Sequence, residues 1–232
     1  MWILGHRGAS AAAPENTLAA FSLAMSQLAT GVELDTYQVE NNNVVIHDRW
    51  LNRTTNGKGM VTSHSLSQLR KLDAGHGEVI PLLGEVFTLM PPHAIINVEI
   101  KHLTDISLWL SAIHNDLSSS GFPTENVIVS SFNHRWLRHI KGAWPEVKIG
   151  ALTATYPENG LGFANDLDAY SLHMALDVVD EYYVREARQA GLKVLVYTVD
   201  YPDDMLMLQA WGVDGIFTNV PDLARRTLLC DE

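Results

Sequence analysis

Trp2-Ile3-Leu4-Gly5-His6-Arg7-Gly8 opens the chain with an apolar run too short for a helix, ending where glycines flank a histidine and an arginine. Such a run reads as a buried strand that carries His6 and Arg7 at its C-terminal tip. Val32-Glu33-Leu34-Asp35 repeats the design. Side chains alternate across a strand, so Glu33 and Asp35 share a face and can hold one cation between them while Leu34 packs behind. Val44-Val45-Ile46 is a third short run, with His47 and Asp48 at its end.

Outward from these segments the pattern alternates strand and helix. Leu18 to Leu28 has apolar residues at helical spacing and is stopped by Gly31. Strand patterns follow at 94–100, 126–131, 147–152, 169–173, 193–199 and 213–217, and helical patterns at about 105–117, 134–141, 181–190, 202–211 and 221–229. Strands centred on Ile3, Val32, Ile96, Val129, Ile149, Tyr170, Leu195 and Ile216 number eight. This is the arithmetic of a parallel (β/α)₈ TIM barrel, in a single domain spanning 1–232. An open doubly wound sheet would be expected to show a Gly-rich dinucleotide fingerprint after the first strand, and none is present. Residues 49–81 break the rhythm with Thr54-Thr55-Asn56-Gly57-Lys58-Gly59 and Ala74-Gly75-His76-Gly77, so a small insertion after the second strand is predicted there.

Composition narrows the function. Of 232 residues, 47% are hydrophobic, yet no stretch approaches the roughly 18 apolar residues of a membrane span, so no stable membrane insertion is expected. A formal charge of −11 disfavours nucleic acid or an anionic membrane as partner. The lone Cys230 offers no internal disulfide, and His6 and Arg7 interrupt any signal-peptide pattern; a cytoplasmic protein is the expectation. The sequence leaves the oligomeric state open.

In a barrel the strand tips converge on one pocket, which gathers His6, Arg7, Glu33, Asp35, His47, Glu99 and Lys101. Glu33, Asp35 and Glu99 form an oxygen-rich set suited to a hard divalent cation, Mg²⁺ or Ca²⁺, rather than zinc. Arg7 and Lys101 can neutralise a phosphoryl group. His6 and His47 can serve as acid and base, one taking a proton from an attacking hydroxyl and the other supplying one to a leaving alkoxide. Phosphodiester cleavage fits that division.

The same residues fall into an ordered series of motifs: His6-Arg7-Gly8-Ala9 with Pro14-Glu15-Asn16-Thr17, Gly31-x-Glu33-x-Asp35, Val45-Ile46-His47-Asp48, Leu51-x-Arg53-Thr54-Thr55-x-Gly57, Ile80-Pro81-Leu82-Leu83, Asn97-x-Glu99-x-Lys101, Ser130-Ser131-Phe132 and Gly212-Val213-Asp214-Gly215-Ile216-x-Thr218-Asn219-x-Pro221. In order and spacing the chain resembles the glycerophosphodiester phosphodiesterases over nearly its whole length. The resemblance implies cleavage of a small glycerophosphodiester to sn-glycerol 3-phosphate and an alcohol, with His6 and His47 as acid/base pair. It likewise implies Glu33, Asp35 and Glu99 as metal ligands, and Arg7 and Lys101 as phosphate contacts. It further implies an adjacent glycerol hydroxyl as internal nucleophile, giving a cyclic phosphate that water opens. Tyr197-Thr198-Val199-Asp200 stands where the family pattern has Trp-Thr-Val-Asn, exchanging an indole for a phenol and an amide for a carboxylate; the exchange is expected to leave the chemistry intact while placing Tyr197 at the glycerol or alcohol pocket and altering its shape. Leu83-Gly84-Glu85 replaces a commoner Thr-Leu-Glu, a change expected to be silent.

Other residues take plainer readings. His173 ends the sixth predicted strand and is expected to contact substrate from that position, whereas the remaining histidines read as structural. Arg53 with Thr54 and Thr55 reads as loop packing within the insertion. Trp109, Trp136, Trp144 and Trp211 lie on helical patterns and read as packing. Two alternatives share the fold: a phospholipase-like enzyme on intact lipid, which calls for exposed apolar or basic loops, and a non-catalytic binding protein.

Overall fold

The computed structural model describes residues 1–229; Cys230 lies outside the described residues. Trp2–His6 forms strand β1, and the chain turns at Arg7 and Gly8, both with positive φ (59° and 85°). Only glycine serves at position 8: a Cβ there would lie 2.6 Å from the Ala20 backbone of helix α1 (Leu18–Ser26). Thr17 caps α1 by accepting from the Ala20 N–H, and Phe21 and Ala24 face the core.

Seven further parallel strands complete a closed barrel. They are β2 (Gly31–Val39), β4 (Ile95–His102), β5 (Val127–Ser131), β6 (Lys148–Thr153), β7 (Ser171–Ala175), β8 (Lys193–Tyr197) and β9 (Gly215–Thr218), and β1 pairs with both β2 and β9 to close the ring. Between them run α3 (Leu83–Leu89), α4 (Ile106–Ser120), α5 (His134–Ala143), the single turn α6 (Gly162–Asn165), α7 (Glu181–Gln189) and α8 (Pro202–Trp211), with α9 (Pro221–Leu228) last. This is a TIM barrel, as the alternation predicted. Outward-facing residues such as Leu34, Val98, Ile100, Val129 and Ile149 pack beneath the helices in the main core, joined by the fully buried Trp109. Each such large side chain contributes about 1.5–3 kcal/mol by leaving water. Trp144 is buried in the same core, and Trp136 and Trp211 pack against it. Inside the barrel, Leu4, Leu195 and Phe217 form an apolar plug beneath the C-terminal mouth.

Strand β2 is longer than the barrel needs. Its upper half, Thr36–Val39, pairs antiparallel with β3 (Asn42–Val45) through a tight turn at Glu40 and Asn41. The Val44-Val45-Ile46 run is therefore not a strand tip of the barrel but a hairpin return. A connection this short cannot carry the crossover that a parallel strand needs. The loop after β3, with α2 (Leu66–Leu69), closes over a small core of its own, including Tyr37, Val44, Ile46, Leu51, Val61 and Ile80. Helix α3 buries Leu83, Val86 and Phe87, and Glu85 in its first turn accepts from the Leu82 backbone N–H at 2.8 Å.

Candidate active site

Strand register sets the acidic layer. Glu33 lies beside Asn97 and Asp35 beside Glu99 on neighbouring strands β2 and β4, all on the inward side of the barrel. One carboxylate oxygen from each of Glu33, Asp35 and Glu99 falls within 4.8 Å of the others, and all three side chains are buried or nearly so. Burial, then Asp35 and Glu99, drives the Glu33 carboxyl well above its ordinary range. Burial followed by Asp35 pushes Glu99 up to about 7. Burial would raise Asp35 too, but the Lys101 and Arg7 cations overcome it and hold Asp35 below its ordinary value. Three buried oxygen donors that repel one another suit a hard divalent cation, which would relieve the repulsion.

Two cations flank this layer. Lys101 Nζ lies 2.7 Å from Glu99 Oε1 and 3.4 Å from Asp35 Oδ1. Arg7 Nε lies 3.3 Å from Asp35 Oδ2, and its Nη1 donates to Glu15 at 2.8 Å. The Arg7 backbone N–H donates to Glu33 Oε2 at 3.0 Å, a contact that the left-handed turn at Arg7 makes available. Asn16, also left-handed at φ 57°, donates to Asp35 Oδ2 at 2.9 Å and accepts from the Asp35 N–H at 3.3 Å. Asparagine tolerates that backbone better than most residues. Within Pro14-Glu15-Asn16-Thr17 nothing in the local pattern singles out Asn16 for this part.

His6 and His47 approach from different elements. His6 ends β1, and its Nδ1 lies 2.8 Å from Asn219 Oδ1, just past β9. Burial, then the Arg7 charge, lowers the His6 pKa. His47 follows β3, whose return brings Ile46 N–H to the Asp35 carbonyl at 2.9 Å. Its Nδ1 lies 2.7 Å from Asp48 Oδ1. Asp48 accepts from Arg53, which also grips Glu15 through both terminal nitrogens at 2.6 and 2.8 Å. Arg53 thus ties His47's partner to Arg7's partner, a larger part than the loop packing expected of it. The hydrogen bonds of Arg53 and His47 hold the Asp48 carboxyl far below its ordinary range.

Tyr197 lines a small cavity of about 30 Å³ with His6, Glu33, Asn97, Glu99, Leu152, His173 and Phe217, and its hydroxyl donates to the Thr153 carbonyl at 2.9 Å. Phe132 stands edge-on to Tyr197 and 6.0 Å from Lys101 Nζ. His173 belongs to the cavity floor: it is fully buried, its Nε2 is 2.8 Å from Ser171 Oγ, and burial lowers its pKa to about 3. Asp200, part of the departure noted at 197–200, turns to Thr218 and Asn219.

Comparison with known proteins places the chain among relatives of one family and one fold. A sequence model of the Glycerophosphoryl diester phosphodiesterase family matches residues 6–223. A glycerophosphodiester phosphodiesterase of Caldanaerobacter subterraneus subsp. tengcongensis is 38% identical over 95% of this chain and 94% of its own. The solved structure of an Oleispira antarctica phosphodiesterase in complex with the product sn-glycerol-3-phosphate superposes with a TM-score of 0.92 at 30% identity, covering 98% of this chain and 96% of that one. The structure of a protein from Galdieria sulphuraria, described as a putative glycerophosphodiester phosphodiesterase, gives 0.88 at 27% identity, covering 99% and 98%.

Proposed function

The chain belongs to the glycerophosphoryl diester phosphodiesterase family, and we propose that it hydrolyses small glycerophosphodiesters to sn-glycerol 3-phosphate and a free alcohol. The observation that carries this reading is the meeting of three buried carboxylates, two flanking cations and two histidines at one barrel mouth. The product named in the Oleispira antarctica structure supports the substrate class.

In this reading Glu33, Asp35 and Glu99 hold a divalent cation, Mg²⁺ or Ca²⁺. When bound, that cation supplies Lewis-acid neutralisation of phosphoryl oxygen charge. Arg7 and Lys101 orient the phosphodiester by pairing with its oxygens. One of the two histidines accepts the proton of the glycerol hydroxyl beside the ester through Nε2. That oxygen then bonds to phosphorus, the bond from phosphorus to the alcohol oxygen breaks, and the other histidine protonates the departing oxygen. Water opens the resulting cyclic phosphate by the reverse exchange of protons. Tyr197 and Phe132 wall the space for glycerol or alcohol, and His173 shapes the floor beneath it. The protein would act on soluble substrate in the cytoplasm; no helix among the described residues is long and apolar enough to cross a membrane.

Turnover of glycerophosphocholine, glycerophosphoethanolamine and glycerophosphoinositol, followed with and without chelator on the wild type and on His47→Ala, tests this. Activity that chelator abolishes and added Mg²⁺ or Ca²⁺ restores, and that the substitution removes, is the expected result. Turnover indifferent to both would overturn the mechanism.

A further inference from the structure

We propose that Asp200 is a positioning residue for His6: acting through the Asn219 amide, it fixes the ring tautomer that leaves Nε2 facing the acidic pocket. The proposal rests on the acid/base role given to His6 above. Its support is a chain of contacts between the ends of three barrel strands.

Asp200 lies just after β8 and Asn219 just after β9. Asp200 Oδ1 accepts from the Asn219 backbone N–H at 2.8 Å and from Thr218 Oγ1 at 3.1 Å, while Oδ2 accepts from Asn219 Nδ2 at 2.6 Å. The carboxylate therefore holds Asn219 by backbone and side chain together, which leaves the amide little freedom to rotate. An ionised carboxylate can only accept, so the amide must turn its NH₂ toward Asp200. Its oxygen then faces His6 Nδ1 at 2.8 Å. The Ser10 hydroxyl, 2.7 Å from that oxygen and 2.8 Å from the His6 carbonyl, steadies the same junction.

The consequence reaches the ring. A neutral imidazole carries one proton, and Nδ1 sits against an acceptor, so the proton resides on Nδ1 and the Nε2 lone pair is directed to the pocket that His6 lines with Glu33 and Glu99. The opposite amide orientation would set two unprotonated oxygens against each other at the Asp200 junction. It would also present NH₂ to Nδ1, moving the ring proton to Nε2 and removing the base. An amide at position 200 could receive Asn219 either way, so the carboxylate is what makes the choice.

Side-chain ¹⁵N shifts of His6 in Asp200→Asn, recorded by long-range ¹H–¹⁵N correlation on metal-free protein at mildly alkaline pH, read the tautomer without reference to turnover. The wild type should show protonated Nδ1 and bare Nε2, and the variant a mixture of tautomers. The kcat of the variant should fall in proportion to the share of ring lost to the other tautomer, about two- to tenfold for a mixture that the spectrum resolves, with KM changed less than about threefold. Asn219→Ala should lose the Nδ1–H signature as well, and adding Asp200→Asn to it should cost nothing further, since the two act in series. A wild-type tautomer and kcat in Asp200→Asn would overturn the proposal. Should that variant fail to fold, an unaltered His6 signature in Asn219→Ala would overturn it equally. Full activity of His6→Ala would instead defeat the acid/base reading and leave the tautomer result standing.

Discussion

His6 stands on a parallel barrel strand and rests its Nδ1 on a neutral amide, whereas His47 hangs from an antiparallel return outside the barrel and rests its Nδ1 directly on a carboxylate. Both arrangements set Nδ1 against an oxygen acceptor, but they do so in different surroundings. The barrel half is built from short contacts between the ends of β1, β8 and β9. The insertion half is more open: the His47 side chain is 29% exposed, and the arginine clasping its partner is 49% exposed. A barrel strand fixes direction by its hydrogen-bonded neighbours on both sides. A hairpin return has fewer such constraints, and in this protein a charged clasp from Arg53 to Asp48 and Glu15 supplies the missing one.

The sharpest way to break the comparison is to remove each histidine. His6→Ala and His47→Ala should each lower kcat by roughly 10²–10⁴, the range for a lost general acid or base. The pair should act as a unit, so the double variant should be far less impaired than the product of the two losses. Steady-state kinetics at saturating substrate decide this. Independent, multiplying losses would mean the two halves serve different steps.

A second test addresses the acidic layer that the halves share. Glu99 titrates near 7 in the folded protein, against 4.5 ordinarily, because of burial and then Asp35, and Glu33 is displaced in the same direction. A carboxyl raised by folding binds its proton more tightly folded than unfolded. Its ionisation therefore removes stability as pH rises from about 4.5 to about 7, and the full penalty is present above that window. Metal-free protein should melt at lower temperature as pH climbs through this range, and Glu99→Gln should flatten the fall. Excess Mg²⁺ or Ca²⁺ should raise the melting temperature most at the alkaline end, since an ion that binds only the folded state stabilises it. Calorimetry with and without chelator would show this; no cation effect at any pH would speak against a metal site.

How much of this was legible in the sequence follows the same division. The barrel half could be read because period-two strands end in polar tips, and closure of the barrel brings together residues as distant as His6, Asp35 and Glu99. The insertion half was harder. Val44-Val45-Ile46 looks like any other short strand, and its direction depends on the tight turn at Glu40 and Asn41, whose sequence is not a strong hairpin signal. The Asp200–Asn219–His6 chain was hidden for another reason. Its members are up to 213 positions apart, and side-chain contacts over such separations follow from three-dimensional register, not from local pattern. In the sequence Asp200 stands out only as a change of residue type, and nothing local shows that it turns to Asn219. His173 shows the opposite limit: a strand end places a residue near the mouth, but how deep it sits depends on the barrel's register, and here it is fully buried while lining the cavity.

The mildest prediction bears on the clasp itself. Arg53→Ala would leave Asp48 bonded to His47 alone and Glu15 bonded to Arg7 alone, severing the bridge between the insertion and the first barrel loop. Exposed ion pairs contribute only about 0.2–1 kcal/mol, so the melting temperature should fall by no more than about 4 °C in a chain of this size. Activity should respond more, because the orientation of His47 depends on Asp48 being held: kcat should fall about tenfold. Arg53→Lys should recover little of it, since an ammonium cannot present two nitrogens to Glu15 while also binding Asp48. The corresponding loss on the barrel side, through Asp200, should be insensitive to salt. The residual contribution of the exposed Arg53 clasp should weaken at high ionic strength, where charges in contact with water are screened. Measuring kcat against salt for wild type and Arg53→Ala separates the two halves. A salt response of the same size in both proteins would show that the clasp is not what keeps His47 in place.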